Sequence, residues 1–295
     1  MTEGELGLSS PTAAFEEPAS VLHRLARDHK ISIVSAVIIA LFVLGAIFAP
    51  LLTPYTYDAV NLAERLSPPS PAHLFGTDEV GRDVLTRMLY GSRVSLAIGI
   101  VPTFLSMALG SFIGMAAGYF GGKVDTVVMR IADIVMSFPT MLLAMVVMYT
   151  LGGGTINVFF TMVLVGWAGV ARVVRAETLM LKQSEYVEAA RIMGVRRFRI
   201  IARHILPNCL PTIIVLFTLN IPSSILTESS LSFLGMGVQP PNASWGLMVS
   251  AGRAFLYHAP WLCFAPCLAI MAIVLAFNYL GDGLRDVLDP HLQSQ

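Results

Sequence analysis

Charge is what this 295-residue sequence has least of: Asp, Glu, Lys and Arg together make up 13% of it, about half the share usual in a soluble domain. A water-soluble chain of this length must wet its whole surface with polar and charged groups. Ordinary soluble enzymes, nucleic-acid binders and disordered chains are excluded on that ground. Cysteine is scarce as well. The three residues, Cys209, Cys263 and Cys267, all fall in apolar stretches and read as small apolar fillers. The six histidines form no HxxxH pattern and no CxxC accompanies them, so no metal site is indicated. A P-loop is missing: Gly122-Lys123 is followed by Val124, and Ala117 stands where the first glycine would be. There is no GxSxG and no HExxH. The chain is therefore read as a non-catalytic integral membrane protein with no cofactor of its own.

What is abundant is uncharged length. A bilayer-spanning helix needs about 20 consecutive apolar residues, and runs without charge lie at 31–57, 94–122, 134–171, 204–227, 229–252 and 254–281. Gly152-Gly153-Gly154 divides the longest run, and Gly235, Gly237, Pro240, Pro241 and Asn242 mark most of the run after Glu228 as a loop. Six transmembrane helices are predicted, near 31–52, 94–119, 124–151, 155–173, 209–233 and 260–281.

Lys and Arg in the connections set the orientation. With the N-terminus inside, 14 of the 19 basic residues fall on the cytoplasmic side, eight of them between Arg172 and Arg203, and five fall outside. Both termini are then cytoplasmic, as segments 1–30 and 282–295. The first 30 residues, with Glu3, Glu5, Glu16 and Glu17, do not look like a cleavable signal. Residues 53–93 form an outer loop with an interfacial helix, and 94–281 a core of five spans.

Between the fourth and fifth spans lies a connection of about 35 residues, 174–208, too long to be idle. Tyr186, Ala189, Ala190 and Met193 follow i, i+3, i+4, i+7 and make one apolar stripe. Gly194 ends that helix. Phe198, Ile201, Ala202 and Ile205 repeat the spacing, Arg196, Arg199 and Arg203 share another face, and Pro207 closes the second helix. Such a pair suits either anionic lipid headgroups or a soluble partner with a groove.

Glu188-Ala189-Ala190, Gly194 and Leu206-Pro207 stand at the spacing of the EAA loop of ABC importer permeases, with His204 where that pattern has Ile. Gly76 to Asp83, Leu231 to Gly235 with Gln239-Pro240-Pro241, and Gly281 to Asp286 resemble the dipeptide/oligopeptide/nickel permease subfamily, in particular its shorter "C" subunit. The resemblance implies an all-α, six-helix type I ABC importer permease fold in a bacterial cytoplasmic (inner) membrane. It implies as partners a second homologous permease forming a heterodimer, two ATP-binding subunits that hold ATP and Mg, and an extracytoplasmic substrate-binding protein. No nucleic acid is implied. Glu188, Ala189, Ala190, Gly194, Leu206 and Pro207 would couple to the ATPase. Di- or oligopeptides are the first substrate class, with nickel or a metal chelate and glutathione-like peptides as alternatives; a secondary transporter would use Glu228 for ion coupling.

Glu228 is the one acid well inside an uncharged stretch, and intramembrane carboxylates are costly. It reads either as a pore or gate residue or as a helix-end carboxylate bonded to neighbouring hydroxyls. Asn220 and Pro222 mark a candidate kink on the path, as does Pro139 in the third span. Arg130 and Asp133 stand at i, i+3 and are expected to pair. Asp78, Glu79 and Asp83 fit capping of the interfacial helix, from Thr77-Asp78, better than a metal site. The outer loops 53–93 and 235–259, with Trp245 and Tyr257, are expected to face the binding protein.

Overall fold

The computed structural model describes residues 30–288. Glu3, Glu5, Glu16, Glu17, Arg24 and Arg27 of the expected N-terminal segment, and residues 289–295 of the tail, lie outside the described residues. Nine helices of eight residues or more organise the described residues: α1 (Lys30–Ile47), α2 (Val84–Phe120), α3 (Gly122–Ser137), α4 (Thr140–Leu151), α5 (Thr155–Leu181), α6 (Glu185–Ile192), α7 (Arg197–Phe233), α8 (Trp245–Gly252) and α9 (Trp261–Leu288). Five of them, α1, α2, α5, α7 and α9, are long and apolar enough to cross a bilayer. The sixth crossing is broken. Together α3 and α4 pass the same test, but they meet at 92°, because Pro139 forces Phe138 into extended backbone (φ −90°, ψ 140°) and ends α3 there.

Several boundaries differ from the sequence reading, each for a local reason. The second span begins at Val84, ten residues early, so the expected interfacial helix is its first three turns. Asp83, not Thr77-Asp78, caps it: the carboxylate accepts from Thr86 N at 2.7 Å and from Thr86 Oγ1 at 2.6 Å. With 37 residues α2 is about 55 Å long, so it projects beyond a hydrocarbon layer of about 30 Å. The fourth span runs on to Leu181, because Arg172 and Arg175 are paired with Asp133 and Asp125 of α3 and need not leave the helix. Asp133 thus pairs across helices with Arg172 rather than with Arg130. The 229–252 run, read as mostly loop, holds α8, and α9 continues to Leu288.

Lipid-facing surfaces are apolar, and small residues mediate close contacts between the spans. Most of α1 turns apolar side chains outward (Ile31, Val34, Val37, Leu41, Leu44), while Ser32 and Ser35 face the bundle and Ser32 Oγ donates to Tyr279 O at 3.1 Å. The most extensive helix contact is that of α2 with α5. Gly110, Gly114 and Gly118 recur every four residues along α2, and a Cβ at Gly110 would stand 2.6 Å from Trp167 O and 2.7 Å from Val170 Cβ. Only glycine permits that approach. Trp245 of α8 is fully buried among Leu96, Ile221, Ile225, Ala269 and Ile273, so it belongs to the core and offers nothing to a binding protein; Tyr257, 96% exposed, remains on the surface.

Candidate functional site

The long connection contracts in the structure to a hairpin of α6 and the start of α7, seated against the ends of α2 and α5. Val187 and Ala190 of α6 are buried, and with Tyr119, Val174, Ile200, Ile205 and Cys209 they form one apolar cluster. The opposite face is bare: Ile192, Met193 and Phe198 are 80%, 76% and 73% exposed, and Tyr186 is about half exposed. The stripe predicted from Tyr186 to Met193 therefore points mostly outward, with only Ala190 turned in. Glu188 and Glu185 occupy the first turn, where the helix dipole favours a carboxylate.

Gly194 fixes the angle of the hairpin. Its φ of +77° is a left-handed conformation. Gly194 N donates to Arg191 O and Val195 N to Ala190 O, both at 3.1 Å, which is the double closure of a Schellman cap. Space is not the constraint, since nothing lies within 4 Å of a Cβ there; backbone strain is.

Pro207 does not close a helix as the sequence suggested. One π-helical turn, Ile201–Ile205, precedes Leu206 and Pro207, and Leu206 N reaches back to Ile201 O. The wider turn makes room for the proline ring and lets the chain pass into the span without a stop. Asn208 Nδ2 donates to His204 O at 2.6 Å, using a carbonyl near the break. His204, the departure from the pattern, lies beside Tyr186 with ring centroids 6.4 Å apart. One further contact had no signal in the sequence: Thr212 Oγ1 donates to Glu177 Oε1 at 2.9 Å, joining α7 to α5 just above the hairpin.

Deeper in the bundle, Asn220 lines a small cavity of about 40 Å³ with Pro102, Thr103, Ser106 and Ser224. Thr103 Oγ1 and Ser224 Oγ are 2.7 Å apart, and Asn220 Nδ2 donates to Leu216 O at 2.7 Å. Glu228 is not among the lining residues. It is fully buried at the far end of α7, accepting from Ser232 Oγ at 2.7 Å and Ser229 Oγ at 3.4 Å, and Ser232 Oγ in turn accepts from Val238 N. The carboxylate thereby ties α7 to the segment leading to α8. Thr103 and Ser106 escaped the sequence reading because hydroxyls are common in spans; their register with Asn220 exists only once α2 and α7 are packed.

Residues 110–294 match the binding-protein-dependent transport system inner membrane component family, and residues 20–69 match the N-terminal TM domain of oligopeptide transport permease C. The chain belongs to the first of these families. It is 42% identical over 267 residues to the oligopeptide transport system permease protein OppC of Bacillus subtilis (strain 168), covering 90% of this chain and 88% of that one. It is 40% identical over 271 residues to the dipeptide transport system permease protein DppC of the same organism, covering 92% and 85%. To the glutathione transport system permease protein GsiD of Pectobacterium atrosepticum it is 43% identical over 272 residues, covering 92% and 90%. The all-helical, multi-span architecture is that of the type I permeases, and α6 with its glycine cap is where the EAA pattern falls.

Proposed function

We propose that this chain is a permease subunit of an ATP-driven importer for di- or oligopeptides, and that α6 is the element through which partner ATPases move it. The observation that carries the reading is the division of α6 into a buried face packed against α2, α5 and α7 and an outer face on which Ile192 and Met193 stand open. An exposed patch of that kind calls for a partner, and its buried side turns a push on the patch into a push on three spans. A second, homologous permease would complete the path, two ATP-binding subunits would bind ATP and magnesium and hydrolyse ATP, and an extracytoplasmic binding protein would deliver substrate. The excess of basic residues around α6 orients this end, and both termini, toward the cytoplasm of a bacterial inner membrane. Asn220 with Thr103, Ser106 and Ser224 is the uncharged lining offered to the path, and Glu228 holds the end of α7 rather than gating it. Peptides come first because relatives at this level of identity are named for them; glutathione, itself a tripeptide, is the second reading, favoured by the third relative.

Reconstitution in proteoliposomes with the partner subunits and the binding protein tests this. Uptake of a labelled peptide should require ATP and the binding protein; uptake driven by a proton gradient without ATP would overturn it.

A further inference from the structure

The loop between α1 and α2 contains a buried histidine that transport, as proposed above, leaves without a task. His73 is 6% exposed, and each of its ring nitrogens faces a carboxylate. Nδ1 stands 2.9 Å from Asp83 Oδ1, and Nε2 stands 3.3 Å from Glu64 Oε2. Tyr55 stacks on the ring at 4.8 Å between centroids and donates its hydroxyl to Ala72 O. Asp83 caps α2 with its other oxygen. Glu64 ends the turn Leu62–Glu64 and also accepts from Asn61 Nδ2 at 2.7 Å. Arg82 and Arg87, the cations nearest Asp83 along the chain, are engaged by Asp78 and Glu79. His73 is thus the group that joins the Leu62–Glu64 turn to the first turn of α2.

A neutral imidazole has one N–H and one lone pair, so it can satisfy one of these carboxylates and must turn a lone pair toward the other; the protonated ring donates to both. We propose that His73 is a proton-operated clasp on this loop, closed on Asp83 and Glu64 when the imidazole is protonated and open on the Glu64 side when it is neutral. The asymmetry follows from exposure. The Asp83 side chain is 4% exposed and committed to the cap, whereas that of Glu64 is 48% exposed and can turn to water.

Burial pulls the imidazole pKa down, but the hydrogen bonds and charges of Asp83 and Glu64 outweigh it and leave the pKa raised above 6.5. A raised folded pKa gives stability that is full below the unfolded value and is lost as pH rises through the folded one. The clasp therefore tightens on acidification. Its placement on the outer face rests on the orientation proposed above; the clasp itself does not.

Hydrogen exchange over residues 61–77, in the complete importer in lipid nanodiscs, reads it directly. After correction for intrinsic rates, the wild type should exchange several-fold more slowly near pH 5.5 than near pH 8.5, because a raised imidazole pKa makes the closed form more stable at the lower pH. His73→Asn keeps a donor toward Asp83 and cannot titrate, so the difference should vanish. Glu64→Gln changes a half-exposed residue, keeps the fold in reach should the first variant not assemble, and should remove most of the difference. A wild type without pH dependence, or variants that retain it, would overturn the clasp. Loss of ATP-driven peptide uptake with this exchange pattern intact would instead count against the transport reading alone.

Discussion

The two ends of the bundle finish their helices in opposite ways. At the loop end, polar groups are met within the chain: Asp83 caps α2, Asp78 takes Arg82 and Arg87, Thr77 accepts from Ser67 N and donates to Glu64 O, and Trp261 Nε1 donates to Thr77 O at 3.4 Å. At the α6 end the backbone is capped with equal care around Gly194, yet three large apolar side chains are left in the open. The first end meets its polar groups within the chain, although Leu62, Leu74 and Tyr257 stand exposed there too. The second is capped by two backbone bonds around Gly194 and open on its outer surface, an arrangement that suits the lever proposed above.

The sharpest way to break this contrast is to soften the joint. Gly194→Val places a β-branched residue at φ +77°, costing about 1–2 kcal/mol in the left-handed region before the two cap bonds are counted. ATP-driven uptake in proteoliposomes should fall to background while the partner ATPases still bind nucleotide. Uptake at the wild-type rate would show that the cap does not transmit force.

Next in size is a comparison of the two faces of α6. Val187→Asp puts a carboxyl group without a partner into the cluster of Tyr119, Ile200 and Ile205, which costs roughly 2–7 kcal/mol even when the group takes up a proton and is neutral, and should lower the yield of folded protein. Ile192→Ser changes a side chain that is 80% exposed. It should leave thermal stability within about 0.5 kcal/mol yet reduce co-purification of the ATP-binding subunit several-fold. Equal behaviour of the two variants would erase the distinction between an inner and an outer face.

A smaller effect is expected where α3 is pinned to α5. Asp125 takes both Nε and Nη2 of Arg175, in a pair whose side chains are 20% and 29% exposed. Asp125→Asn should destabilise by about 2 kcal/mol, the usual scale for charge-assisted bonds, read as a lower melting temperature of the assembled importer. An unchanged melting temperature would mean that α3 is held by packing alone.

The spans were legible in the sequence because hydrocarbon imposes a crude rule, and uncharged length obeys it. So was Gly194, since few residues tolerate the conformation that ends α6. The boundaries were less legible. Charges at 172 and 175 looked like the end of a span, but each has a carboxylate from α3 beside it, a fact of tertiary packing. Pro207 looked like a stop, and a π-turn carries the helix past it. Trp245 looked like a surface residue because its neighbours are turn formers; its backbone N donates to Ser95 Oγ and its Nε1 to Met88 O, both on α2, and these bonds hold it in the core. The Gly110-Gly114-Gly118 repeat carries a packing signal of its own, which the lack of charge in that run does not reveal.

The smallest expected effect separates a local rule from a tertiary one. Spacing of i, i+3 predicts an Arg130–Asp133 pair, whereas Asp133 bonds Arg172 across the α3–α5 interface, with both side chains about half exposed. Exposed pairs contribute about 0.2–1 kcal/mol, so Asp133→Ala and Arg172→Ala should each shift the melting temperature slightly, and a double-mutant cycle should give a coupling inside that range. The same cycle with Arg130 should give none. Should Arg130 couple and Arg172 not, α3 would be organised by its own helix rather than by α5, and the pinning argued for Asp125 and Arg175 would lose its second anchor. The order of the two coupling energies therefore decides whether the bent crossing moves with α5 or apart from it.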